Sequence, residues 1–375
     1  MKMLIIAGAA RSLTGFRKPL IQALLDKGLT VHAAAPELTA DSVTTIELNA
    51  MGVITHNIPM ARTGVSPGAD IKTLFSLWQL MRKVKPTHML GYTIKPVIYG
   101  SFAAWLARVQ HRFALITGLG YSFQENSYDT KRSRVRVIAQ SLYRISLRRC
   151  QTVFFQNSDD EALFKELTIV SAKQNTVVVN GSGVNLNEYP HTPTPGYKYP
   201  KFLFVGRLLG DKGVREYAAA AALVKSKYPE VEFDLVGSID INPAAIDQSE
   251  LDGWIKDGRL NYIGRLKDVK PRVAACSVFV LPSYREGTPR AVLEAMSIGR
   301  AIITTDTAGC RETIVAGSNG YLVPVRNADA LAKAMLHFIE QPELIYQMGL
   351  CSREIAEEKY DVHKVNKQML KGMRL

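Results

Sequence analysis

Two glutamates eight residues apart, Glu286 and Glu294, and two cations five residues apart, Arg207 and Lys212, are the side chains whose type and spacing point most directly to chemistry. The glutamates lie in VLPSYREGTPRAVLEAM, residues 280–296. This string reads as a strand ending at Leu281, a loop and a helix. Thr288 suits the helix N-cap and Pro289 the first helical position. The amides of residues 288–291 would then carry the partial positive charge of a helix start, which suits a diphosphate. Gly287 lets the backbone come close to such a ligand. A carboxylate accepts two hydroxyl hydrogen bonds, so Glu286 and Glu294 suit a sugar or a ribose. Two glutamates alone would be better read as a loop charge and a solvated helix residue. The strand–loop–helix setting favours a ligand.

Arg207 and Lys212 lie in FLFVGRLLGDKG, residues 202–213. A strand meets Gly206 and Arg207, and Lys212-Gly213 opens the next helix. A planar guanidinium and a point ammonium charge would together neutralise a departing nucleoside diphosphate. Taken alone, the pair is accounted for equally well by a solvated basic turn. There is no Asp-x-Asp pair, so the sequence does not require a metal, although Asp159 and Asp160 leave one open. The histidines show no paired metal-ligand spacing.

These residues need elements to position them. Short β-branched runs alternate with helical-period stretches along the chain. Strands are predicted at 3–7, 30–35, 53–58, 87–92, 113–117, 153–157 and 176–180, then at 202–205, 232–236, 260–263, 278–281, 301–304 and 320–323. Continuous apolar strands with helical crossovers imply parallel sheets covered on both faces. The fold class is therefore α/β, with two Rossmann-like, doubly wound domains expected to face each other across a cleft. Four prolines within residues 189–200 read as a linker. The expected domains are 1–190 and 191–354, the first completed by a helix from about 355 to 375.

Composition narrows the partners. The net charge is +13, and residues 1–190 carry 22 Lys and Arg against 12 Asp and Glu. A basic first half expects an anionic partner: a phosphorylated substrate, an anionic membrane or nucleic acid. No RRM, zinc or helix-turn-helix signature supports nucleic acid. No apolar run reaches the roughly 20 residues of a membrane span; the best stretch, 96–119, is broken by Arg108, His111 and Arg112. Residues 1–8 read as a first strand, not as a targeting segment. Four scattered cysteines read as reduced thiols of a cytoplasmic protein. Residues 131–149, KRSRVRVIAQSLYRISLRR, place Val135, Ile138, Leu142 and Ile145 at helical spacing among seven Lys and Arg. Such a helix either lies on an anionic membrane or holds a lipid pyrophosphate, or else packs one face on a sheet and solvates the rest. The stripe Leu74, Phe75, Leu77, Trp78 and Met81 reads as core.

The string Val205-Gly-Arg-Leu208 with Lys212-Gly213, the Glu286 and Glu294 pair, and Thr305-Asp-Thr-Ala-Gly-Cys-Arg-Glu312 resemble the retaining glycosyltransferase family 4, of GT-B architecture. YTIKPVIYG (92–100) and ITGLGYSF (116–123) are similar to the acceptor-domain signatures of the branch that builds bacterial surface polysaccharides and lipid-linked oligosaccharides. The resemblance implies a donor site of Gly206, Arg207, Lys212, Gly264, Glu286, Gly287, Thr288, Pro289 and Glu294, with Arg207, Lys212 and Glu286 as its catalytic members. It implies Gly15 and Gly118 in acceptor-side loops, with Lys95 beside them. It further implies a nucleotide-sugar donor, with UDP expected, no required cofactor, and a polyprenyl-pyrophosphate-linked sugar as acceptor. The enzyme would then be cytoplasmic and peripheral at the inner face of the cell membrane. Two departures stand out: the histidine that many members carry after the fifth strand is replaced by Thr117-Gly118-Leu119-Gly120, and Ala308 stands where a proline is usual. A transferase with a soluble acceptor and a non-catalytic sugar-nucleotide-binding protein are the alternatives.

Overall fold

The structure, a computed structural model, describes all residues except 62, 63, 65, 120–129, 241 and 243, and omits the side chains of 130–135. The end of the 116–123 string, the basic start of 131–149 and Val135 therefore lie outside the described residues.

The chain divides into two compact units, residues 1–182 with 363–375, and residues 183–362. The first is built on seven parallel strands: β1 (Lys2–Ile6), β2 (Thr30–Ala35), β3 (Ile54–Asn57), β4 (His88–Tyr92), β5 (His111–Ile116), β6 (Thr152–Phe155) and β7 (Asn175–Val178). Their spatial order is β3-β2-β1-β4-β5-β6-β7, which reverses direction at β1. Alternation along each strand feeds two apolar layers. Met3 and Ile5 join Leu20, Leu24, Val365 and Met369 on one face, under the helices Lys18–Asp26 and Val362–Met373. Leu4 and Ile6 join Leu77, Met81 and Ala103 on the other, under Pro67–Val84 and Ser101–Leu106. The C-terminal helix lies so close to β6 that a Cβ on Gly372 would stand 2.6 Å from the Phe154 ring.

The second unit holds β8 (Lys201–Val205), β9 (Glu232–Val236), β10 (Asn261–Gly264), β11 (Val278–Leu281), β12 (Ala301–Thr305) and β13 (Gly320–Val323). Their order is β10-β9-β8-β11-β12-β13, again all parallel, with the reversal between β8 and β11. All thirteen strands lie where β-branched runs predicted them, within one or two residues at each end.

The boundaries differ from those expected at 190 and 355. The first crossing falls at 182/183 and the second at 362/363. There the two passages of the chain pair: the Val184 N–H donates to Tyr360 O at 2.8 Å, and the Val362 N–H to Val184 O at 3.0 Å. The proline-rich stretch lies inside the second unit because Arg300, fully buried, holds it there. Its guanidinium donates to Thr192 O (3.1 Å), Pro193 O (3.2 Å), Thr194 Oγ1 (3.0 Å) and Ala274 O (3.0 Å). Prolines that cannot serve a helix or central strand are thus fastened by an arginine more than a hundred residues away.

Candidate functional site

In open parallel sheets a ligand crevice forms beyond the carboxyl ends of the strands, where strand order reverses. In the second unit that point lies between β8 and β11, and the loops after these strands interlock. The loop after β8 ends in a short 3-10 turn, Gly210–Lys212, and Gly213 caps the helix Val214–Lys225 at φ +72°. A Cβ on Gly213 would stand 2.0 Å from the carbonyl oxygen of Pro282, so only glycine lets the two loops meet. The contact is sealed by the Tyr284 N–H donating to Asp211 O at 2.8 Å, and the Ser283 hydroxyl oxygen lies 3.2 Å from the same oxygen.

This meeting places Lys212 against Glu286. Lys212 Nζ and Glu286 Oε1 form an ion pair, and the Ser283 hydroxyl donates to the same carboxylate oxygen at 2.9 Å. Both side chains are largely withdrawn from solvent, at 20% and 14% exposure. The Thr305–Cys310 segment supports the loop from beneath. The Glu286 N–H donates to Ala308 O at 3.1 Å, the Thr307 hydroxyl to Tyr284 O at 2.9 Å and the Thr304 hydroxyl to Leu281 O at 2.7 Å, while the Thr305 hydroxyl bonds Ser283 O. Gly309, at φ +80°, passes so near that a Cβ there would lie 2.3 Å from Glu286 O. Cys310 is buried behind this loop, and burial together with the Glu286 charge pushes its thiol up to about 12. The supporting role of Thr304, Thr305 and Thr307 went unread in the sequence, because threonines at the end of a buried strand also read as ordinary β-formers.

The helix that follows is Arg290–Ile298, and its N-cap is Pro289, in an extended conformation. The expected cap, Thr288, stands one residue before the observed one, and its hydroxyl donates to the adjacent Gly287 carbonyl at 3.0 Å. The helix start still opens beside Glu286, and the Glu294 carboxylate lies one turn inside it, accepting from Arg290 Nε at 2.9 Å. Tyr189, from the proline-rich stretch, faces the same carboxylate. Burial and the charge of Glu294 hold its phenol firmly protonated. Nothing in its sequence context marks Tyr189 as a neighbour of Glu294.

Arg207 stands on the other side of β8 and pairs with Asp240 at 3.0 Å. Gly206 is closely backed: a Cβ on Gly237 would lie 1.9 Å from its carbonyl oxygen. Gly264 ends the edge strand β10 at φ +81°, with open space where a side chain would stand. The structure therefore brings Lys212, Glu286, Gly287, Thr288 and Pro289 together at the switch point, flanked by Gly206 and Arg207 on one side and Glu294 on the other. Gly264 lies two strands away. Among the described residues no cluster of three or more His, Cys, Asp and Glu is placed to hold a metal.

In the first unit, Gly118 follows β5 in a loop at φ +113°. Gly15, expected in a loop, is instead an exposed residue of the short helix Arg11–Phe16, which forms soon after β1 and anchors through Leu13. Lys95 pairs with buried Asp70 at 2.8 Å, and its own side chain is only 13% exposed. The order reversal of this sheet, at β1, carries a polar group: the Ser12 hydroxyl lies 2.8 Å from Tyr92 Oη, and buried Arg17 stacks 5.1 Å over the Tyr92 ring. His111 opens β5 and stacks on His88 at the amino edge of the sheet, 4.5 Å between centroids, at the end opposite the carboxyl loops.

The basic helix spans Thr130–Leu147. It buries Tyr143 and Leu147 and exposes Val137, Ile138 and Ile145, with Arg148 and Arg149 exposed just beyond. Of its expected apolar stripe, Leu142 packs on the core while Ile138 and Ile145 face out. In Pro67–Val84, Leu77 and Met81 are core as expected, whereas Phe75 is exposed. No helix among the described residues is long and apolar enough to cross a membrane.

A family model described as glycosyl transferase 4-like matches residues 2–157, and one described as glycosyl transferases group 1 matches residues 199–341. The chain is 28% identical to the N,N'-diacetylbacillosaminyl-diphospho-undecaprenol alpha-1,3-N-acetylgalactosaminyltransferase of Campylobacter jejuni, over 99% of this chain and 98% of that protein. It is 28% identical to the UDP-Gal:alpha-D-GlcNAc-diphosphoundecaprenol alpha-1,3-galactosyltransferase of Escherichia coli, over 83% of this chain and 81% of that one. The crystal structure of Anabaena HepE in complex with UDP matches with a TM-score of 0.76 at 19% identity, covering both chains fully. Sucrose-phosphate synthase from Thermosynechococcus elongatus matches with a TM-score of 0.80 at 19% identity, over 100% of this chain and 98% of that one. At these identities the structural matches speak for the fold.

Proposed function

The chain belongs to the glycosyltransferases of group 1, with a 4-like amino-terminal domain and GT-B architecture, and on that premise we propose that it moves a sugar from a UDP donor onto a saccharide carried by a lipid pyrophosphate, with retention of anomeric configuration. One observation carries the reading: Lys212 and Glu286 meet beside a helix start at the switch point of the second sheet. The ammonium and helix start suit a pyrophosphate, and the carboxylate suits the hydroxyls of the sugar attached to it.

In this reading Arg207, Lys212 and the helix start neutralise the departing nucleoside diphosphate without a metal. Glu286 holds the transferred sugar and Glu294 the ribose. The acceptor hydroxyl attacks from the face that the leaving group vacates, and its proton passes to the departing phosphate oxygen. Double displacement would need a nucleophilic carboxylate on the opposite face of the sugar. Glu286 is already engaged by Lys212 and Ser283 and is not assigned that part.

The lipid-pyrophosphate acceptor is carried over from the names of the two curated relatives, and the basic first unit is consistent with it. The exposed Ile138 and Ile145 with Arg148 and Arg149 suit the surface of an anionic membrane and support the reading of a peripheral protein at the inner face of the cell membrane. A donor screen tests the reading. Each nucleotide sugar is incubated with the protein and a polyprenyl-pyrophosphate-linked saccharide, and released nucleotide and extended product are measured. Turnover confined to UDP-sugars is expected; selective turnover of another nucleotide, or of a soluble saccharide alone, overturns the corresponding part.

A further inference from the structure

The loop after β9 is laced to the loop that carries Arg207. The Leu208 N–H donates to Ser238 O at 3.1 Å, the Ile246 N–H to Leu208 O at 3.1 Å and the Gly210 N–H to Ala244 O at 2.8 Å. Asp240 projects from this second loop. Its Oδ1 accepts the Asn242 N–H at 3.0 Å, and its Oδ2 accepts from Arg207 Nη1 at 3.0 Å. The Asp240 side chain is 14% exposed and the Arg207 side chain 48%. The carboxylate is therefore the anchored member of the pair and the guanidinium the adaptable one.

We propose that Asp240 is a positioning residue for nucleoside-diphosphate recognition: it grips Arg207 through Nη1 and leaves the Nε and Nη2 hydrogens for the pyrophosphate. The proposal rests on the reading above that this site takes a nucleoside diphosphate. A long, half-exposed arginine samples many rotamers, and ordering it at the moment of binding weakens the complex. Holding it beforehand by one edge removes much of that cost and keeps the planar fork oriented. Stabilising the fold is a poor account of the pair, because an ion pair this exposed adds little to stability. The negative charge of Asp240 near a pyrophosphate opposes binding, but its Oδ2 is directed at the guanidinium, which screens it. Asp240 and Arg207 are 33 residues apart, so no local motif links them.

The test is calorimetric titration of the full chain with UDP, using wild type, D240A, D240N, R207A and the double variant R207A/D240A, with melting temperatures alongside. D240A is expected to weaken UDP binding about 5- to 20-fold, the range of a coupled pair. D240N, which keeps an acceptor oxygen, should recover part of the loss. The double variant should bind as R207A does, and melting temperatures should stay together. Undiminished or tighter UDP binding by D240A overturns the proposal, and so do losses that multiply in the double variant. Wild-type protein that binds none of UDP, GDP and ADP overturns the functional reading and this proposal with it. Wild-type binding with D240A unaffected overturns this proposal alone.

Discussion

Lys212 and Glu286 stand 74 residues apart in the chain and form an ion pair at the switch point of the second sheet, buttressed by the Ser283 hydroxyl. In the proposed function, each is the other's counter-ion until a ligand supplies both a phosphate for the ammonium and hydroxyls for the carboxylate. The two groups are thus held together before any ligand arrives, both largely withdrawn from solvent, where electrostatic stabilisation of a leaving group gains strength.

Removing either partner should damage turnover more than folding. K212A and E286Q are each expected to lower kcat by about 10²–10³, with melting temperatures close to wild type. Steady-state kinetics with the preferred donor from the screen checks this; near-wild-type kcat in both variants would remove the pair from the mechanism.

Gly213 offers a backbone test. Its φ of +72° and the 2.0 Å approach of a Cβ to Pro282 O leave no room for a side chain. G213A is expected to destabilise the second unit by about 2–3 kcal/mol, since strain and a steric shift act together. Denaturant unfolding followed by tryptophan fluorescence measures it. The same substitution at Gly258, also at positive φ but with open space around it, should cost less.

Arg300 offers a packing test. It is fully buried and donates to neutral oxygens of the proline-rich stretch and of Val273 and Ala274. R300L strands several buried carbonyls and should cost on the order of 3 kcal/mol. Limited proteolysis should then cut within residues 190–198 of the variant and spare the wild type.

The histidines of the first sheet set a pH dependence. His32 Nδ1 and His56 Nε2 are 2.9 Å apart, and their rings stack at 5.2 Å. Burial first, then neighbouring positive charge, lowers both, His56 to about 4; His88, stacked on His111, is lowered for the same leading reason. Near pH 6.5 and below, the unfolded chain binds protons that the folded one refuses. Stability is therefore full above pH 6.5 and falls as pH drops toward about 4. Thermal melts across that window should show the decline, and H56Q should flatten it. A melting temperature constant from pH 7 to 4.5 would contradict this account.

The proposed membrane attachment has its own test by substitution. I138D with I145D places two carboxylates on the exposed face of the basic helix without touching its buried Tyr143 and Leu147. Flotation with anionic vesicles should recover wild type with the lipid and leave the double variant in solution. Equal flotation of both would relocate or remove the membrane surface.

Local sequence determined a great deal here. Short β-branched runs bounded by turns read as strands, and helical crossovers between them favour parallel order, so thirteen strands and two sheets were legible without coordinates. The placement of Lys212, Glu286 and residues 287–289 at a carboxyl edge was legible too, because a strand, a glycine-containing turn and a helix start follow one another in sequence. Tertiary structure decided what periodicity cannot express. A helical stripe names the apolar positions but not which of them meet a sheet, so Ile138 and Ile145 proved exposed while Tyr143 beside them is core. The cap at Pro289 rather than Thr288, the helix around Gly15 and the engagement of Lys95 by Asp70 depend on neighbours that local propensity does not see. Nor does any local rule link Arg207 to Asp240, Glu294 to Tyr189, or Arg300 to the proline-rich stretch. Those partnerships are made by the order of strands in a sheet, which brings loops far apart along the chain into hydrogen-bonding distance.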